Sequence, residues 1–499
     1  MVDFGVNRNQ PFLTGFSARL YGRAKASAQA RIACEASRIS ANSIAENASI
    51  FAPILSPGLM AGFQAAARNR SFTPTTSFWA WIDQLLDANS SCSKAVSRVQ
   101  TWCAENNRTV PSSATGAYCL ARQRLGSDFL AQIHQNLTQA AGSRRRSCDL
   151  WRGFVPKAID GSSVQLLDTP ENQQRFPQSS SQQPGCGFPI MAIAGVLDLS
   201  TGAWLGMTTG PAHTHDTRLA AKLLEHFEPG DLVLADRAFN SYEMLVTLQQ
   251  RGAQSLMRLH ASRHRSLDWR KGKKLGSNER LVTWHKPVQI PRGTNLDAAQ
   301  WAALPASISI RLIRFNYENR AGEKVVMVLA TTLTDSLLHP WEELSDLYAM
   351  RWDIELKLRD LKTTLKLERF EVRSPDMAEK TLQMVMIAQN LIRAMVQRAA
   401  CAEGISLTSL SFKGSLDLIR AWQSRFRGRA HHCHKRAEIH DKLLEIIATK
   451  RLTPRPFRHE PRAVKRRPKP FAKLTEHRHT YQEIQHRSRY QISTTNALN

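Results

Sequence analysis

The chain has 499 residues, with 68 lysines and arginines against 42 aspartates and glutamates, a formal net charge of +26 and a pI near 10.2. This length is enough for two or three domains with a large core, and this charge predicts a polyanionic partner, for which nucleic acid fits best. No stretch approaches the roughly 18 apolar residues of a membrane-spanning helix. The eight cysteines lack CxxC spacing, which argues against a disulfide framework or a structural zinc site. We therefore expect no membrane contact and a cytoplasmic protein.

The first 147 residues predict a leader followed by a helical domain. Residues 1–53 are rich in Ala, Ser and Arg, and we expect a poorly ordered leader there. Residues 54–147 predict three short helices, which can be capped by Thr76 or Ser77, by Ser91 or Ser93, and by Ser112 or Ser113. This pattern is typical of a helix-turn-helix or related bundle, so we predict a helical DNA-binding domain; a domain that only supports its neighbour is the alternative. The candidate phosphate contacts are Arg68, Arg70, Arg98, Arg122 and Arg124.

A change to period-two patterning at residue 154 predicts the start of a sheet. In FVPKAIDGSSVQLL the Gly161-Ser162 pair predicts a tight turn between two strands, which places Asp160 at the end of the first. The nearly continuous apolar run in DLVLADRAF predicts a buried central strand that ends at Asp236. Further strands alternate with helices predicted to open at Asp216 and Tyr242. We therefore predict an α/β fold, a mixed sheet flanked by helices, whose first part spans residues 148–262.

Residues 263–335 predict a β-rich insertion whose last strands lead back to the sheet. The insertion carries Trp269, Trp284 and Trp301 among basic residues. Indoles in basic surroundings can stack on an extruded base, although a Trp is more often a core residue. The second part of the core is predicted over residues 336–424. Residues 425–499 form a basic tail with nineteen Lys/Arg against six Asp/Glu, which favours contact with phosphates.

The segment from residue 348 to 362, YAMRWDIELKLRDLK, predicts a docked helix with one charged face. At roughly 100° per residue, its polar side chains fall within about 80° of arc. An apolar stripe beside them, which includes Ile354, Leu358 and Leu361, would seat the helix on a core. Ion pairs at i,i+4 on a solvated helix explain the same charges equally well. The polar face consists of Tyr348, Arg351, Glu355, Arg359 and Lys362.

The two upstream aspartates favour a functional site over ion pairs on a solvated helix. Asp160 and Asp236 are both predicted at the carboxyl ends of strands, where the ligands of α/β sheets gather. Together with Glu355 they would make three carboxylates that repel each other and stay ionised only beside cations. Oxygen ligands suit Mg²⁺ or Mn²⁺, and two such ions about 3.5 to 4 Å apart support phosphodiester chemistry. We therefore predict Asp160, Asp236 and Glu355 as catalytic and metal-binding residues.

These residues also carry a resemblance to a known family. The spacing Tyr348, two residues, Arg351, three residues, Glu355, six residues, Lys362 resembles the Y-R-E-K signature of the DDE transposases of the IS-four group of bacterial insertion sequences. The blocks KAIDGSS and GDLVLADRAF look like the first and second aspartate motifs of that family. The resemblance covers residues 54 to 475, with one departure at Ala238, where the family commonly has Gly.

The resemblance implies an RNase H-like catalytic core that follows a helical DNA-binding region and is interrupted by the β-rich insertion before Glu355. It implies two Mg²⁺ or Mn²⁺ ions, cleavage of the element ends, a hairpin intermediate and joining to target DNA. The implied partners are double-stranded DNA, as terminal inverted repeats and as target, and a second copy of the chain in a synaptic homodimer on the bacterial nucleoid. The candidate DNA contacts are Tyr348, Arg351, Trp352, Arg359, Lys362, Trp284 and Arg237.

Two alternatives stay open at this point. A metal-dependent nuclease with an RNase H fold would cut DNA without joining it. A transposase that has lost its chemistry could be kept as a DNA-binding protein, but a binding module gains nothing from three acids that face DNA.

Overall fold

The computed structural model describes residues 43–55, 71–87, 90–291, 293–318, 324–364, 369–426, 433–452, 476–477 and 480. Within its helices and strands, the side chains of residues 43–45, 318, 352, 356, 359, 362–364 and 433 are outside that description. None of the helices so described is long and apolar enough to cross a membrane.

The elements alternate between helices and strands after an all-helical N-terminal part. The helices are α1 (Ser43–Ile50), α2 (Pro74–Leu86), α3 (Cys92–Glu105), α4 (Gly116–Arg124), α5 (Ser127–Gly142), α6 (Pro170–Arg175), α7 (Asp216–Ala221), α8 (Tyr242–Gln250), α9 (Ala261–Arg265), α10 (Ala298–Ala303), α11 (Trp341–Ala349), α12 (Trp352–Thr364), α13 (Pro375–Ala402), α14 (Phe412–Trp422) and α15 (Cys433–Thr449). The strands are β1 (Val155–Leu166), β2 (Ile190–Asp198), β3 (Trp204–Pro211), β4 (Asp231–Ala235), β5 (Gln254–Arg258), β6 (Lys273–Gly276), β7 (Glu279–His285), β8 (Ser307–Glu318), β9 (Lys324–Thr331) and β10 (Arg369–Phe370).

The strands form one mixed sheet in the order β3-β2-β1-β4-β5-β9-β8-β7-β6, and β10 pairs with β1. Strands β1, β2 and β3 are antiparallel neighbours, whereas β4 and β5 run parallel to β1. This is the strand order of an RNase H-like core. Helices cover both faces, so the predicted fold class is confirmed. The strands of the insertion, β6 to β9, extend the same sheet by antiparallel pairing. The boundaries assigned to the domains stay a prediction.

Successive side chains of each strand point to opposite faces, and each face has its own apolar core. Ala158 of β1 and Leu234 of β4 pack with Leu358 of α12 in the larger core, which also takes in the N-terminal helices. Ile159 and Ala235, the next residues along the same strands, pack in the second core with α7 and α8. The sheet is therefore buried on both faces, and polar groups at its carboxyl edge lie between two layers of helices.

The structure corrects the predicted turn in the first strand. Gly161 and Ser162 pair with Ala194 and Ile193 of β2, so β1 runs without interruption through them. The prediction that a strand ends at Asp160 is therefore wrong, because the antiparallel ladder to β2 outweighs the turn tendency of Gly-Ser. The prediction for Asp236 is confirmed, since β4 ends at Ala235.

The helix predicted over residues 348–362 is interrupted in the structure. Helix α11 ends at Ala349, Met350 and Arg351 form a turn, and α12 begins at Trp352. The turn is closed by the backbone amides of Met350 and Arg351, which donate to the carbonyls of Leu347 and Tyr348. Tyr348 and Glu355 therefore belong to different helices, and Arg351 lies between them.

The N-terminal part is more ordered than predicted. Ile50 and Phe51 are fully buried in the larger core, so the prediction of a poorly ordered leader is wrong for residues 43–53; residues 1–42 lie outside the described chain. Thr73 rather than Thr76 or Ser77 caps α2, with Pro74 at its first position. Ser91 caps α3 as predicted. A fourth helix that was not predicted, α5, packs against α13.

The predicted basic tail begins with a docked helix. Helix α15 places Leu443 and Ile447 in the larger core and packs against α13. The prediction of a tail from residue 425 onward is therefore wrong for this helix. Most of the chain beyond residue 452, including the proline-rich basic stretch, is outside the described residues.

Two cations, Arg393 and Lys357, lie close together between α12 and α13, with Asp360 and Asp353 beside them. Arg393 of α13 is almost fully buried, with Asp360 of α12 at 3.7 Å and the ring of Phe412 at 4.8 Å from its guanidinium carbon. Burial, with the charge of Arg393, lowers the pKa of Lys357 to about 7, against the opposing effects of Asp360 and Asp353. Packing of α12, the helix that carries Glu355, therefore places the charged form of Lys357 in an unfavourable environment.

We predict that Lys357→Met stabilises the protein in a pH-dependent way. Below pH 7 Lys357 is charged in the folded and unfolded states, and the full cost of burying it is present. Above pH 7 the folded state releases the proton first, so this cost falls as the pH rises toward the ordinary lysine pKa. Thermal unfolding should show the largest rise in melting temperature at pH 6 and a small one at pH 10.

Lys413→Met, at an exposed position of α14, is the control and should show no such trend. An equal effect of Lys357→Met at both pH values would contradict the assignment of a lowered pKa.

Candidate active site

The sheet register brings two of the three predicted acids side by side. On the parallel pair β1 and β4, Ile159 lies opposite Ala235. Asp160 and Asp236 are the next residue on each chain, so their side chains leave the same face at the same level, one strand spacing of about 4.8 Å apart. Because of this register, Asp160 lies beside the end of β4, although its own strand β1 continues to Leu166.

The Asp160 carboxylate is placed where a negative charge is unfavourable. Its Oδ1 accepts a hydrogen bond from the backbone amide of Gly161 at 2.8 Å. Its pKa is raised to about 6, chiefly by burial and also by the charges of Glu355 and Asp236, against the lowering effects of the Gly161 amide and Arg351. Asp160 therefore lies near both other acids, and a cation beside them favours the ionised form of the carboxylates.

The third acid reaches this edge on α12, which packs across β1. Ile354 and Leu358 are buried in the larger core and hold the helix on the sheet. Glu355, next to Ile354, is turned to the rim and its side chain is 39% exposed. The carboxylate is thus open to solvent on one side and faces the two aspartates on the other.

Arg351 places a positive charge beside the three acids. Its Nη1 lies 3.1 Å from Oε1 of Glu355, and its side chain is only 9% exposed. Burial lowers the pKa of the guanidinium, but attraction from its neighbours outweighs burial and raises it overall. Those neighbours are Tyr348, Asp236, Glu355 and Asp160.

Tyr348 is an anchor in this structure. Its ring is buried, and its hydroxyl donates to the carbonyl of Ala235, the last residue of β4, at 3.3 Å. Burial raises its pKa to about 12. Because Ala235 directly precedes Asp236, this contact ties the end of α11 to the strand that presents the second acid. The hydroxyl is therefore not presented to solvent as the predicted polar face required.

The three carboxylates match a divalent cation in chemistry but not in spacing. Oxygen-only donors suit Mg²⁺ or Mn²⁺, and the mutual repulsion at Asp160 favours a cation. In the described part of the chain, however, no three acidic, histidine or cysteine side chains are close enough to hold an ion. In this structure Glu355 is paired with Arg351.

Two charged residues beside the acids were not predicted. A Cβ atom at Gly161 would lie 3.2 Å from Oδ1 of Asp216, so the absence of a side chain lets Asp216 approach the strand closely. Burial raises the pKa of Asp216, as does the charge of Asp236. Arg258 ends β5 and follows Met257, which lies opposite Ala235. Asp216 looked like a helix cap and Arg258 like a strand end, and neither pattern signals a site.

The other candidate DNA contacts have mixed outcomes. Arg237, directly after Asp236, is exposed at the rim. The side chains of Trp352, Arg359 and Lys362 lie outside the described residues, although their backbones place them on α12. Their contacts with DNA stay predictions.

Trp284 is a core residue. It is buried in the second core, and the guanidinium carbon of Arg263 lies 4.0 Å from its ring centroid. Across the sheet from β4 to β7, which is four strands away, the residue in register with Ala235 is Arg280. Trp284 is four residues farther from the carboxyl edge, roughly 25 Å from Asp236. This placement argues against the predicted stacking of Trp284 on an extruded base.

Two of the arginines predicted as phosphate contacts in the N-terminal domain instead contact other residues of that domain. Arg98 is buried and pairs with Asp83 and Asp87. Arg122 is buried over the ring of Trp81, 4.1 Å from its centroid. Arg124 is exposed at the end of α4, whereas Arg68 and Arg70 are outside the described chain. The prediction that Arg98 and Arg122 contact phosphates is therefore wrong, because their charges are used within the helical domain.

Comparison with known proteins gives matches in both sequence and structure. A family model described as "Transposase DDE domain" matches residues 153–391, which include Asp160, Asp236 and Glu355. The chain is 27% identical over 402 residues to "Transposase InsG for insertion sequence element IS4" of Escherichia coli (strain K12), covering 78% of this chain and 84% of that protein. A solved piggyBac transposase synaptic complex with hairpin DNA covers 82% of this chain and 84% of its own at 11% identity and a TM-score of 0.38, a likeness too weak to support an argument.

We predict that Tyr348→Phe affects stability more than DNA affinity. Loss of a buried hydrogen bond costs about 1 kcal/mol, which corresponds to roughly 2–4 °C in melting temperature for a domain of this size. Thermal unfolding and DNA binding at two salt concentrations measure both effects. A variant with wild-type stability and a weakened, less salt-dependent affinity for DNA would instead support a phosphate contact by the hydroxyl.

Proposed function

Because this chain belongs to the DDE transposases of the IS4 group, enzymes that cleave DNA and transfer strands, we propose that Asp160, Asp236 and Glu355 are its catalytic residues. The observation that carries this proposal is the strand register, which places Asp160 beside Asp236 where the helix that carries Glu355 packs on β1. Two parallel strands supply the aspartates and a docked helix supplies the glutamate. Such rigid elements suit a site that must hold reacting atoms in place.

The three carboxylates would together hold a pair of Mg²⁺ or Mn²⁺ ions. When bound, such a pair supplies activation of the attacking oxygen and stabilisation of the leaving oxygen of a phosphodiester. The chain would contribute the three carboxylate ligands and hold them in position. Asp160 and Asp236 are fixed by the sheet register, and Glu355 lies at the solvent-exposed rim on the docked helix α12.

The proposed reaction follows a cut-and-paste route. A water oxygen attacks the phosphorus at the element end, and the bond to the 3′ oxygen of the element breaks, which frees a 3′-hydroxyl. That hydroxyl attacks the phosphorus that joins the opposite strand to the flanking DNA, which closes a hairpin and releases the 3′-hydroxyl of the flank. A second water attacks the hairpin phosphorus and frees the 3′-hydroxyl of the element again, and this hydroxyl attacks a target phosphodiester and releases a 3′-hydroxyl of the target. Each step exchanges one P–O bond for another, so one site can serve all of them.

The proposed partner is DNA, and the basic residues near the three acids are its proposed phosphate contacts. Arg237, exposed beside Asp236, and Arg351, Arg359 and Lys362 would bind phosphates near the scissile bond, with Trp352 packed beside them. The segment 263–274 adds an exposed basic surface that includes Arg265, Arg270, Lys271, Lys273 and Lys274. The helical domain would bind the terminal inverted repeats and a second copy would complete the synaptic complex, in the cytoplasm on the bacterial nucleoid.

The two alternatives give different products. A nuclease of the same fold would leave cut ends, whereas a transposase joins them to a plasmid in the presence of Mg²⁺. A protein that only binds DNA would do neither. Three acids at the rim, two of them half-buried, give a pure DNA-binding role no advantage, because acids at that surface repel phosphates.

We predict that Glu355→Gln abolishes cleavage but retains DNA binding. The substitution keeps the size of the side chain and removes the charge that a divalent ion requires. The rate should fall by roughly 1,000-fold or more, since several kcal/mol of transition-state stabilisation are lost. Gel-shift and cleavage assays on the DNA ends that flank the reading frame measure both properties.

Glu343→Gln is the matched control, because Glu343 also pairs with an arginine, Arg152, but lies on α11 away from the two aspartates. This control should cleave DNA. Near-normal cleavage by Glu355→Gln, or loss of binding with cleavage intact, would contradict the proposed role.

We also predict that Lys362→Ala weakens DNA binding in a salt-dependent way. Loss of one phosphate contact should lower the slope of log affinity against log salt by about 1. Binding titrations from low to moderate salt test this, with Lys413→Ala as an exposed-lysine control. An unchanged slope would exclude Lys362 as a phosphate contact.

A further inference from the structure

Helix α4 of the N-terminal domain has one buried and one exposed face. Tyr118, Ala121 and Arg122 are buried against the rest of the domain. The residues of the opposite face fall within about 120° of arc, and each of them is exposed. They are Gly116, Ala117, Leu120, Gln123 and Arg124. Small side chains at the start of the helix, an apolar one in its middle and a glutamine-arginine pair at its end leave this face without a negative charge.

Packing within the chain does not account for this face. A Cβ atom at Gly116 would meet no atom of the described chain within 4 Å, so its neighbours do not require a glycine there. Leu120 is 49% exposed. Arg124 has no acidic partner among the described residues, whereas Arg98 of the same domain pairs with two aspartates. The face therefore suits a negatively charged partner that approaches the helix closely.

A groove with an arginine on each side runs along this face. It has a volume of about 850 Å³ and lies between α4 and the loop that follows α3. Leu120 and Arg124 line it from the helix, and Asn107 and Arg108 line it from the loop. None of its described lining residues is acidic, and the sequence has no Asp or Glu from residue 106 to 127. A polyanion in this groove would meet attraction from both sides.

The loop holds Arg108 in a fixed position. Asn107 adopts the left-handed backbone conformation, with φ of 52°, which is uncommon outside glycine and here ends α3. The amide of Arg108 donates to the carbonyl of Cys103 at 2.8 Å. Its guanidinium carbon lies 4.7 Å from the ring centroid of Trp102. Such backbone conformations cluster at functional sites, and this one presents a cation across the groove from the arginine of α4.

Helix α4 also lies toward the edge of the sheet that carries the three acids. Lys380 of α13 donates to the carbonyl of Gln123 at 2.6 Å. The next residue of α13, Glu379, accepts a hydrogen bond from the hydroxyl of Thr209 at 2.9 Å. Across β2, Thr209 lies two residues beyond the position of β3 in register with Asp160, about 7 Å farther toward the carboxyl edge. The end of α4 is therefore connected to the same edge as the acids.

We propose that the exposed face of α4 contacts bases in the major groove of double-stranded DNA, with Gln123 and Arg124 as base contacts and Arg108 as a phosphate contact. The inference rests on the proposed function, in which the helical domain binds the terminal inverted repeats, and identifies the surface that recognises them. The major groove, about 12 Å wide, admits an α-helix. The nine residues of α4 rise about 14 Å, the length of roughly four base pairs. Arginine pairs with guanine, and glutamine with adenine, through two hydrogen bonds each.

The test is the selection of bound duplexes from a random-sequence DNA pool by the full-length protein. The wild type should select a motif, and Arg124→Ala should lose the preference at one base pair by roughly tenfold. Gln250→Ala and Arg251→Ala are the matched controls. This glutamine-arginine pair is also exposed at the end of a helix, α8, but it precedes β5 at the opposite edge of the sheet. Both controls should select the wild-type motif.

Two further variants separate the contacts. Arg108→Ala should weaken binding to all duplexes of the pool about equally and lower the slope of log affinity against log salt by about 1. An unchanged slope would contradict the phosphate contact. Leu120→Ala, with the mass of the protein measured by light scattering, tests a second copy of the chain as the occupant of the groove. Loss of a dimer in this variant with unchanged DNA selection would overturn the inference.

The inference and the proposed catalytic function can fail separately. A wild type that selects no motif, or an unchanged motif with Arg124→Ala, would overturn the inference alone. If Arg124→Ala relaxes the motif but the wild type neither cuts nor joins DNA that carries it in the presence of Mg²⁺, the inference holds and the proposed catalytic function fails.

Discussion

Repulsion among three carboxylates is the constraint around which this protein is arranged. The pKa of Asp160 is raised to about 6, chiefly by burial and in part by the charges of Glu355 and Asp236. A fold that collects such charges at one edge gains no stability from them unless a cation is present. In the structure that cation is Arg351, and in the proposed reaction it is a pair of divalent ions. The acids therefore do not stabilise the fold, which is consistent with the catalytic role proposed for them.

The rest of the core serves to hold those acids in register. The parallel pairing of β1 with β4 fixes the two aspartates, and the hydroxyl of Tyr348 fastens α11 to the end of β4. The insertion contributes as well. Arg311 of β8 is fully buried, pairs with Glu279 of β7, and donates to the carbonyls of the loop that leads into α11, at Asp335 and His339. The insertion thus positions the loop before the helix that anchors the site.

The sequence predicted the acids but not all of their surroundings. The apolar run before Asp236 could form only a buried strand, so its end was predictable from local pattern. Asp160 was assigned to a strand end for the wrong reason, because Gly161-Ser162 has turn chemistry and only the long-range ladder to β2 decides the outcome. The break at Arg351 escaped prediction since helical periodicity continues across it. The roles of Arg98 and Trp284 depend on partners distant in sequence, such as Asp83 and Arg263, which no local pattern reveals.

The most direct test of the account is an anomalous-difference map from crystals of the full-length protein bound to a DNA end and soaked in Mn²⁺. The account predicts two peaks at the carboxyl edge of the sheet, within coordination distance of the side-chain oxygens of Asp160, Asp236 and Glu355, with Arg351 directed at a phosphate. Peaks bound by other residues, or no peak at these three acids while DNA and Mn²⁺ are both present, would contradict it.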